Sequence, residues 1–183
     1  MVARLARLAV LVASWNRRMN LTGHRTAETV ARRLVLDALA LARVLPCFDE
    51  LADLGSGAGF PGLPIAIRHP ERQVTLVESR ERRHHFQRSV LRELGLTNVR
   101  ALRGRAEQLE PIPHAAVVAQ AVADPLDWML PWARPGGLLV LPSGDPPPPA
   151  PCHRAASAFE LARYRVPLGG ASRTAWIGRR LAD

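Results

Sequence analysis

The sequence predicts an α/β fold: a mostly parallel, seven-stranded sheet with helices on both faces, preceded by a short N-terminal helical segment. Three observations lead there. Short apolar runs alternate with amphipathic stretches from Leu51 onward, the repetition that builds a parallel sheet. A glycine-dense segment from Asp53 to Gly62 separates two of those runs, the place where doubly wound folds hold a nucleotide. The length of 183 residues suits one such core. The expected organisation is a single domain over 1–183, with a helical segment at 1–47 and the α/β core at 48–183.

Taken in order, Leu5, Leu8, Leu11 or Val12, and Trp15 recur at helical spacing, which predicts a helix over Val2 to Arg18. The turn-rich Asn20-Leu21-Thr22-Gly23 ends it. A second helix is expected from an N-cap at Thr26 to Leu45 before Pro46, with Leu34, Leu36, Leu39, Leu41 and Val44 as its apolar face. Strands are expected at Leu51 to Leu54, Val74 to Val77, Val99 to Leu102, Ala116 to Ala119, Leu138 to Leu141, Tyr164 to Val166 and Ala175 to Ile177. Helices are expected in the gaps. The clearest is Arg80 to Leu94, with Ser79 as N-cap, a stop at Gly95 and a closing apolar contact from Leu96. Pro146 to Pro149 reads as a stiff, exposed spacer.

The glycine segment carries the chemistry. Gly55, Gly57 and Gly59 remove three Cβ atoms from one turn, so the backbone can take positive φ and bring its N–H groups to a ligand. Gly57-x-Gly59-x-x-Gly62 also satisfies the dinucleotide fingerprint. Asp53 argues for a different ligand, because a carboxylate there repels a pyrophosphate and attracts the ammonium or sulfonium of S-adenosylmethionine. Glu78 ends the second strand about 20 residues on, where such folds bind ribose hydroxyls, and a nicotinamide cofactor needs that acid too. A dehydrogenase stays open as the alternative on these residues alone.

Twenty-five basic residues against 16 acidic give a net charge of +9, and all 25 are arginine. Arginine suits bidentate phosphate contacts and stacking on bases, so an RNA partner is expected. Cys47 and Cys152 lie in no metal-like spacing and read as incidental thiols in a reducing, cytoplasmic setting. Arg4 and Arg7 ahead of Leu8 to Ala13 imitate a short secretory signal or an organellar transit segment; the helical spacing argues for a folded helix instead. No run approaches the roughly 18 apolar residues of a membrane span. No metal site is expected, since His84 and His85 have no third ligand at a recognised spacing.

Several segments in this order resemble the bacterial small-subunit ribosomal RNA guanine-N7 methyltransferase G family, also called glucose-inhibited division protein B. They are Trp15-Asn16, Asn20-Leu21-Thr22, Arg33 with Leu36-Asp37, Asp53 through Gly62, Glu78-Ser79, Arg82-Arg83, Phe86, Glu93-Leu94 and Arg105-Ala106-Glu107. The Pro61-Gly62 close of the loop is the distinctive part. The resemblance implies a Rossmann-like class I methyltransferase that takes S-adenosylmethionine and modifies N7 of a guanosine in 16S ribosomal RNA, as a monomer acting on the small subunit. It places Asp53, Gly55, Ser56, Gly57, Gly59, Phe60 and Pro61 around the methionine part, Glu78 on the ribose, and Ser79, Ala106 and Glu107 along the adenine. Gln120 joins the cofactor set, and Asn20, Arg33, Arg82, Arg83, Arg88 and Arg105 are the expected RNA contacts.

This chain is a divergent member. It carries Ala119-Gln120-Ala121 where relatives have Ser-Arg-Ala, Ser143-Gly144 where they have Lys-Gly, and Leu34 beside Arg33 where they have histidine. These changes fall on the substrate side, so a different RNA substrate, or a non-catalytic RNA-binding or ribosome-assembly role that retains the cofactor pocket, is the alternative. No general base is expected in either case. The N7 lone pair lies in the ring plane, and the reaction needs alignment rather than proton removal.

Overall fold

A computed structural model describes residues 1–122 and 124–182 of the chain. Helix α1 (Val2–Met19) turns Leu5, Leu8, Leu11 and Val12 inward and stops at Asn20, whose φ of 49° is left-handed. Trp15 on its last turns meets Phe86 edge-on, with ring centroids 5.6 Å apart. The Asn16 side chain then folds the following turn back, donating to Thr22 O at 2.8 Å and His24 O at 2.9 Å and accepting from Thr22 N at 3.0 Å.

Thr26 caps α2 (Ala27–Val30) as expected, in a reciprocal pair with Thr29. The single helix expected over 26–45 is not continuous. A π-helical turn over Ala31–Val35 separates α2 from α3 (Leu36–Val44). The reason lies in the apolar spacing: Val30 and Val35 are five residues apart and both buried, which an α-helix cannot put on one face and a wider turn can. The buried face is therefore Val30, Val35, Ala38 and Leu41, while Leu34, Leu36, Leu39 and Val44 are half-buried.

Seven strands form one sheet in the order β3-β2-β1-β4-β5-β7-β6. These are β1 (Glu50–Leu54), β2 (Gln73–Glu78), β3 (Val99–Arg103), β4 (His114–Ala119), β5 (Ala133–Ser143), β6 (Glu160–Arg165) and β7 (Ser172–Arg179). The first five are parallel, and β7 runs antiparallel between β5 and β6. All seven expected strands exist. Strand β5 is longer than expected because Pro135-Gly136-Gly137, a turn signal, forms a bulge against β4 between His114 and Ala116 instead of ending the strand. Strand β6 starts earlier and stops before Val166, its register set by pairing with β7.

Helices α4 (Gly62–Arg68) and α5 (Glu81–Leu94) join α1, α2 and α3 on one face, over a cluster that includes Leu51, Leu76, Val118 and Val140. Gly95 ends α5 with a φ of 60°, and its N–H and that of Leu96 close back on Arg92 and Leu91, as the sequence predicts. The Ser79 cap is corrected. Arg80 holds the N-cap position and no side chain caps it, because the Ser79 hydroxyl faces Glu78 at 3.5 Å.

The opposite face has far less helix than expected. Among the described residues, α6 (Leu126–Met129) and a 3-10 turn at Leu130–Trp132 cover it, together with the turn at Ala106 and Leu109 and irregular chain from Ala155 to Phe159 packed against its apolar cluster. Prolines explain the deficit. Pro111 and Pro113 occupy the β3–β4 connection and Pro146 to Pro149 the β5–β6 one, and neither can continue a helix. Buried Trp132 fills the space, its Nε1 donating to Ala106 O at 3.1 Å.

The N-terminal helices are tied to the far sheet edge by one polar network. Buried Asp37 on α3 accepts from the Tyr164 hydroxyl at 3.1 Å and pairs with Arg173 Nη2 at 3.1 Å. Burial pushes the Asp37 carboxyl above its ordinary range, with Arg173 and the Tyr164 hydroxyl opposing. Burial, reinforced by Asp37, likewise pushes the Tyr164 phenol up. Removing the carboxylate would strand a guanidinium and a hydroxyl together. Asp37→Ala is therefore expected to lower unfolding free energy by roughly 3 kcal/mol in urea denaturation, and Tyr164→Phe by only about 1 kcal/mol.

Candidate active site

Strand β1 delivers the chain into the glycine loop at its carboxyl end. Gly55, Gly57 and Gly59 have φ of 70°, 56° and 85°, the left-handed conformations expected of them. Gly59 and Gly62 answer to packing as well: a Cβ at Gly59 would lie 2.3 Å from Leu63 Cδ1, and one at Gly62 would lie 2.5 Å from Leu76 Cδ2. The loop folds on itself through Gly59 N to Ser56 O at 2.7 Å and is tied to β2 by Ser56 N to Val77 O at 3.0 Å.

Two buried carboxylates hold this loop. Asp53 Oδ2 accepts the Gly62 N–H at 2.8 Å, and the residue is 1% exposed. Asp53, expected to attract a cationic cofactor, points its carboxylate into the loop and braces it from behind. Burial pushes that carboxyl up to about 7, with the Gly62 N–H pulling down and the Glu78 charge pushing further up. Glu78, at the end of β2, accepts Gly57 N–H at 2.9 Å through Oε2 and Arg80 N–H at 2.7 Å through Oε1. A carboxylate has about four acceptor positions, so Glu78, which also receives the Ser79 hydroxyl at 3.5 Å, keeps capacity for at least one hydroxyl of a ribose.

Two side chains of α5 complete the cradle, and one had been expected elsewhere. Arg83, an expected RNA contact, turns inward instead; its Nη1 lies 4.0 Å from Glu78 Oε2 and beside Gly57. Fully buried Gln87 donates to Ser56 Oγ at 2.9 Å and Gly57 O at 2.8 Å, while its Oε1 has no partner. Sequence reasoning missed Gln87. The available signal was an amide sharing the apolar stripe of α5 with Phe86, Val90 and Leu94.

The remaining expected residues divide. Phe60, Pro61 and Gln120 meet at a narrow crevice with Pro142 and Tyr164. Gln120 also borders a cavity of about 780 Å³ at the ends of β4 and β5, walled by Arg173, Trp176 and Pro148 to Pro151. The proline segment is largely exposed, as expected, and also forms a wall of this cavity, pinned by Trp176 Nε1 to Pro148 O at 3.1 Å. Ser79 is exposed beside Glu78. Ala106 and Glu107 lie in a turn rather than at a helix start, brought near the end of β2 by Gly104 N to Glu78 O at 3.1 Å.

The other expected RNA residues are not one patch. Asn20 is the exposed cap of α1, Arg33 is exposed on the π-helical turn, and Arg105 is exposed after β3. Arg82 borders a shallow groove with Trp15, Arg18 and His85. Arg88 lies on the solvent side of α5.

Residues 1–147 match the family described as rRNA small subunit methyltransferase G, GidB. The chain belongs to that family. It is 42% identical to the ribosomal RNA small subunit methyltransferase G of Halorhodospira halophila over 146 residues, covering 78% of this chain and 69% of that protein. The Myxococcus xanthus protein of the same name is 38% identical over 182 residues, covering 93% and 84%. Solved structures agree on a class I Rossmann-like methyltransferase fold. TrmN from Thermus thermophilus aligns with a TM-score of 0.59 at 21% identity, over 80% of this chain and 48% of that one. A predicted O-methyltransferase from Agrobacterium tumefaciens aligns at 0.62 and 20%, over 79% and 81%.

Two expectations test how this methyltransferase G family member holds its loop. The folded-state value of Asp53, about 7, lies above its ordinary 3.8, so folding takes up a proton between those values. The associated stability is present in full below about pH 4 and is lost as pH rises through about 7. Without added cofactor, denaturation of Asp53→Asn should vary less between about pH 5 and about pH 8 than that of the parent protein. Separately, Gln87→Leu should weaken S-adenosylhomocysteine binding in calorimetry by roughly 5-fold, the worth of about 1 kcal/mol in loop hydrogen bonds, while Gln87→Glu, which cannot donate to Gly57 O, should not restore it.

Proposed function

We propose that this protein transfers the methyl group of S-adenosylmethionine to N7 of a guanosine in 16S ribosomal RNA of the small subunit. Membership of the methyltransferase G family over residues 1–147 carries the reading. The loop supports it independently. Three left-handed glycines shape a loop that carries no side chain at Gly55, Gly57 or Gly59. The N–H groups of Ser56, Gly57, Gly59 and Gly62 are spent on holding that shape rather than aimed at a ligand, and a buried carboxylate with spare acceptor capacity stands at the neighbouring strand end. These features fit the cofactor's methionine and ribose parts, with Gly55 to Pro61 along the former and Glu78 on the latter.

When bound, the cofactor supplies an electrophilic methyl carbon on a sulfonium. The protein's part is placement. The 780 Å³ cavity beside Gln120 lies at the ends of the next two strands, where an acceptor base can reach the cofactor's methyl from the loop side. Attack by the N7 lone pair on that methyl would make one N–C bond for one C–S bond broken, giving a cationic purine and a neutral thioether. No proton leaves N7, so no side chain need act as base, and alignment supplies the rate enhancement. Asp53, raised to about 7 by burial, and Glu78, offset in part by Arg83 at 4.0 Å, leave no cationic excess at the loop, which suits a cationic cofactor better than a pyrophosphate-bearing one.

A changed RNA target is the second reading. It is favoured by Ser143, which replaces a cation near this cavity and is tied to Thr174 Oγ1 at 2.7 Å, and by uncharged Gln120 at its border.

The deciding experiment incubates the protein with labelled S-adenosylmethionine and small ribosomal subunits lacking this methyl group, then digests and chromatographs the RNA. Labelled 7-methylguanosine from 16S RNA is the expected result. Label elsewhere selects the changed target, and no label with S-adenosylhomocysteine still bound selects a non-catalytic role. Glu78→Ala should reduce cofactor affinity by roughly 10- to 100-fold, since hydrogen bonds to a charged acceptor contribute about 1.5–3 kcal/mol.

A further inference from the structure

A cleft of about 820 Å³ lies away from the glycine loop. It lies between α3, the end of α4 and edge strand β6, and is bordered by Arg43, Arg68, Arg72, Arg163 and Arg165 together with His69. No carboxylate borders it among the described residues. Glu71, just outside, is engaged by His69 at 3.1 Å and Arg72 at 3.8 Å, and Arg72 also stacks over Phe48 at 4.4 Å. Among the described residues, no carboxylate lies within ion-pair distance of Arg43, Arg68, Arg163 or Arg165, so nothing offsets the charge they gather at this one surface.

Gathering unpaired guanidinium groups around one concave surface is unfavourable, because the low-dielectric walls focus their mutual repulsion. A polyanion relieves it. Between a nucleic acid and an acidic protein, the position of the cleft decides. Tyr164 borders it on one side and the crevice with Phe60, Pro61 and Gln120 on the other, so a strand lying along α3 leads toward the end of β4, where the acceptor base must arrive. The floor from α3, including Leu36 and Leu39, offers apolar surface to sugar and base edges.

We propose that this cleft is the track for the phosphodiester backbone of the RNA strand flanking the methylated nucleotide. The proposal rests on the reading that the protein acts on RNA, and it adds a contact surface away from Arg33, Arg82, Arg88 and Arg105. The arginines act here as phosphate contacts, which fix register without reading sequence.

The test measures binding of a fluorescent single-stranded RNA by anisotropy across a salt series. Each phosphate contact contributes about −0.7 to the slope of log K against log salt for single strands. The triple variant Arg43→Gln, Arg68→Gln, Arg163→Gln should therefore show a slope shallower by about 2, with S-adenosylhomocysteine affinity unchanged. A control triple variant, Arg4→Gln, Arg17→Gln, Arg154→Gln, removes the same charge from exposed positions outside the cleft and should keep the parent slope. Equal slopes in the parent and cleft variant, or an equal loss in both variants, would overturn the proposal. So would a cleft-dependent affinity for polyglutamate with none for RNA, which would assign the cleft to an acidic protein. Failure to form 7-methylguanosine with the slope change intact would remove the methylation reading and leave the cleft standing; methylation with an unchanged slope would do the reverse.

Discussion

The site depends on a pair of buried carboxylates at adjacent strand ends, each accepting a backbone N–H of the same glycine loop. Asp53 takes Gly62 and Glu78 takes Gly57, so the loop is fixed at its far end and its middle by strands that are themselves in parallel register. Gln87 adds a third restraint from α5. Glycine supplies left-handed φ but also conformational freedom that folding must remove, and these three contacts remove it. The arrangement has an electrostatic cost. Burial is the main reason the Asp53 carboxyl is raised, and the Glu78 charge adds to it against the Gly62 N–H, so joint ionisation of the two carboxylates is disfavoured. A cation at the mouth of the loop reduces that cost, so the contacts that shape the cradle also prefer a positively charged occupant.

Arg83 occupies part of that electrostatic role. Its guanidinium stands 4.0 Å from Glu78 and beside Gly57, on the same helix whose buried Gln87 holds the loop. The cradle is therefore as much a product of α5 as of the loop, and the start of α5 is in turn fixed by Glu78 through Arg80 N–H. Loop, strand end and helix form one closed set of contacts. A change in any of them is felt at the other two.

The strands, the loop and the capping of α5 at Gly95 were legible because each has a local chemical signal: apolar runs, positive-φ glycines, a left-handed stop. What escaped depended on non-local partners. Nothing in the neighbourhood of Asp53 says that its carboxylate reaches nine residues ahead to Gly62 rather than outward. Arg82 and Arg83 are adjacent and alike in sequence, yet helical geometry turns one to solvent and the other to the loop. The π-helical turn was visible only as a five-residue interval between Val30 and Val35, ambiguous without knowledge of what covers them. The arginine cleft joins residues more than a hundred positions apart, Arg43 with Arg163, and no window along the chain brings them together.

The uneven cover of the sheet bears on how the two surfaces divide their work. The face under α1 to α5 carries the larger core, and the thinly covered face relies on Trp132 and irregular chain. The proline segment that displaces a helix from the β5–β6 connection also walls the cavity beside Gln120 through Trp176. A helix in that place would bury its own apolar stripe against the sheet; a proline segment keeps its backbone solvated and can stand off from the surface. The same residues that cost this face its helix therefore leave room at the ends of β4 and β5. Anchoring charge lies in the cleft beneath α3, while this cavity, lined by few charges, accepts a flat, largely neutral group. That division suits a nucleotide whose backbone and base must be held by different means.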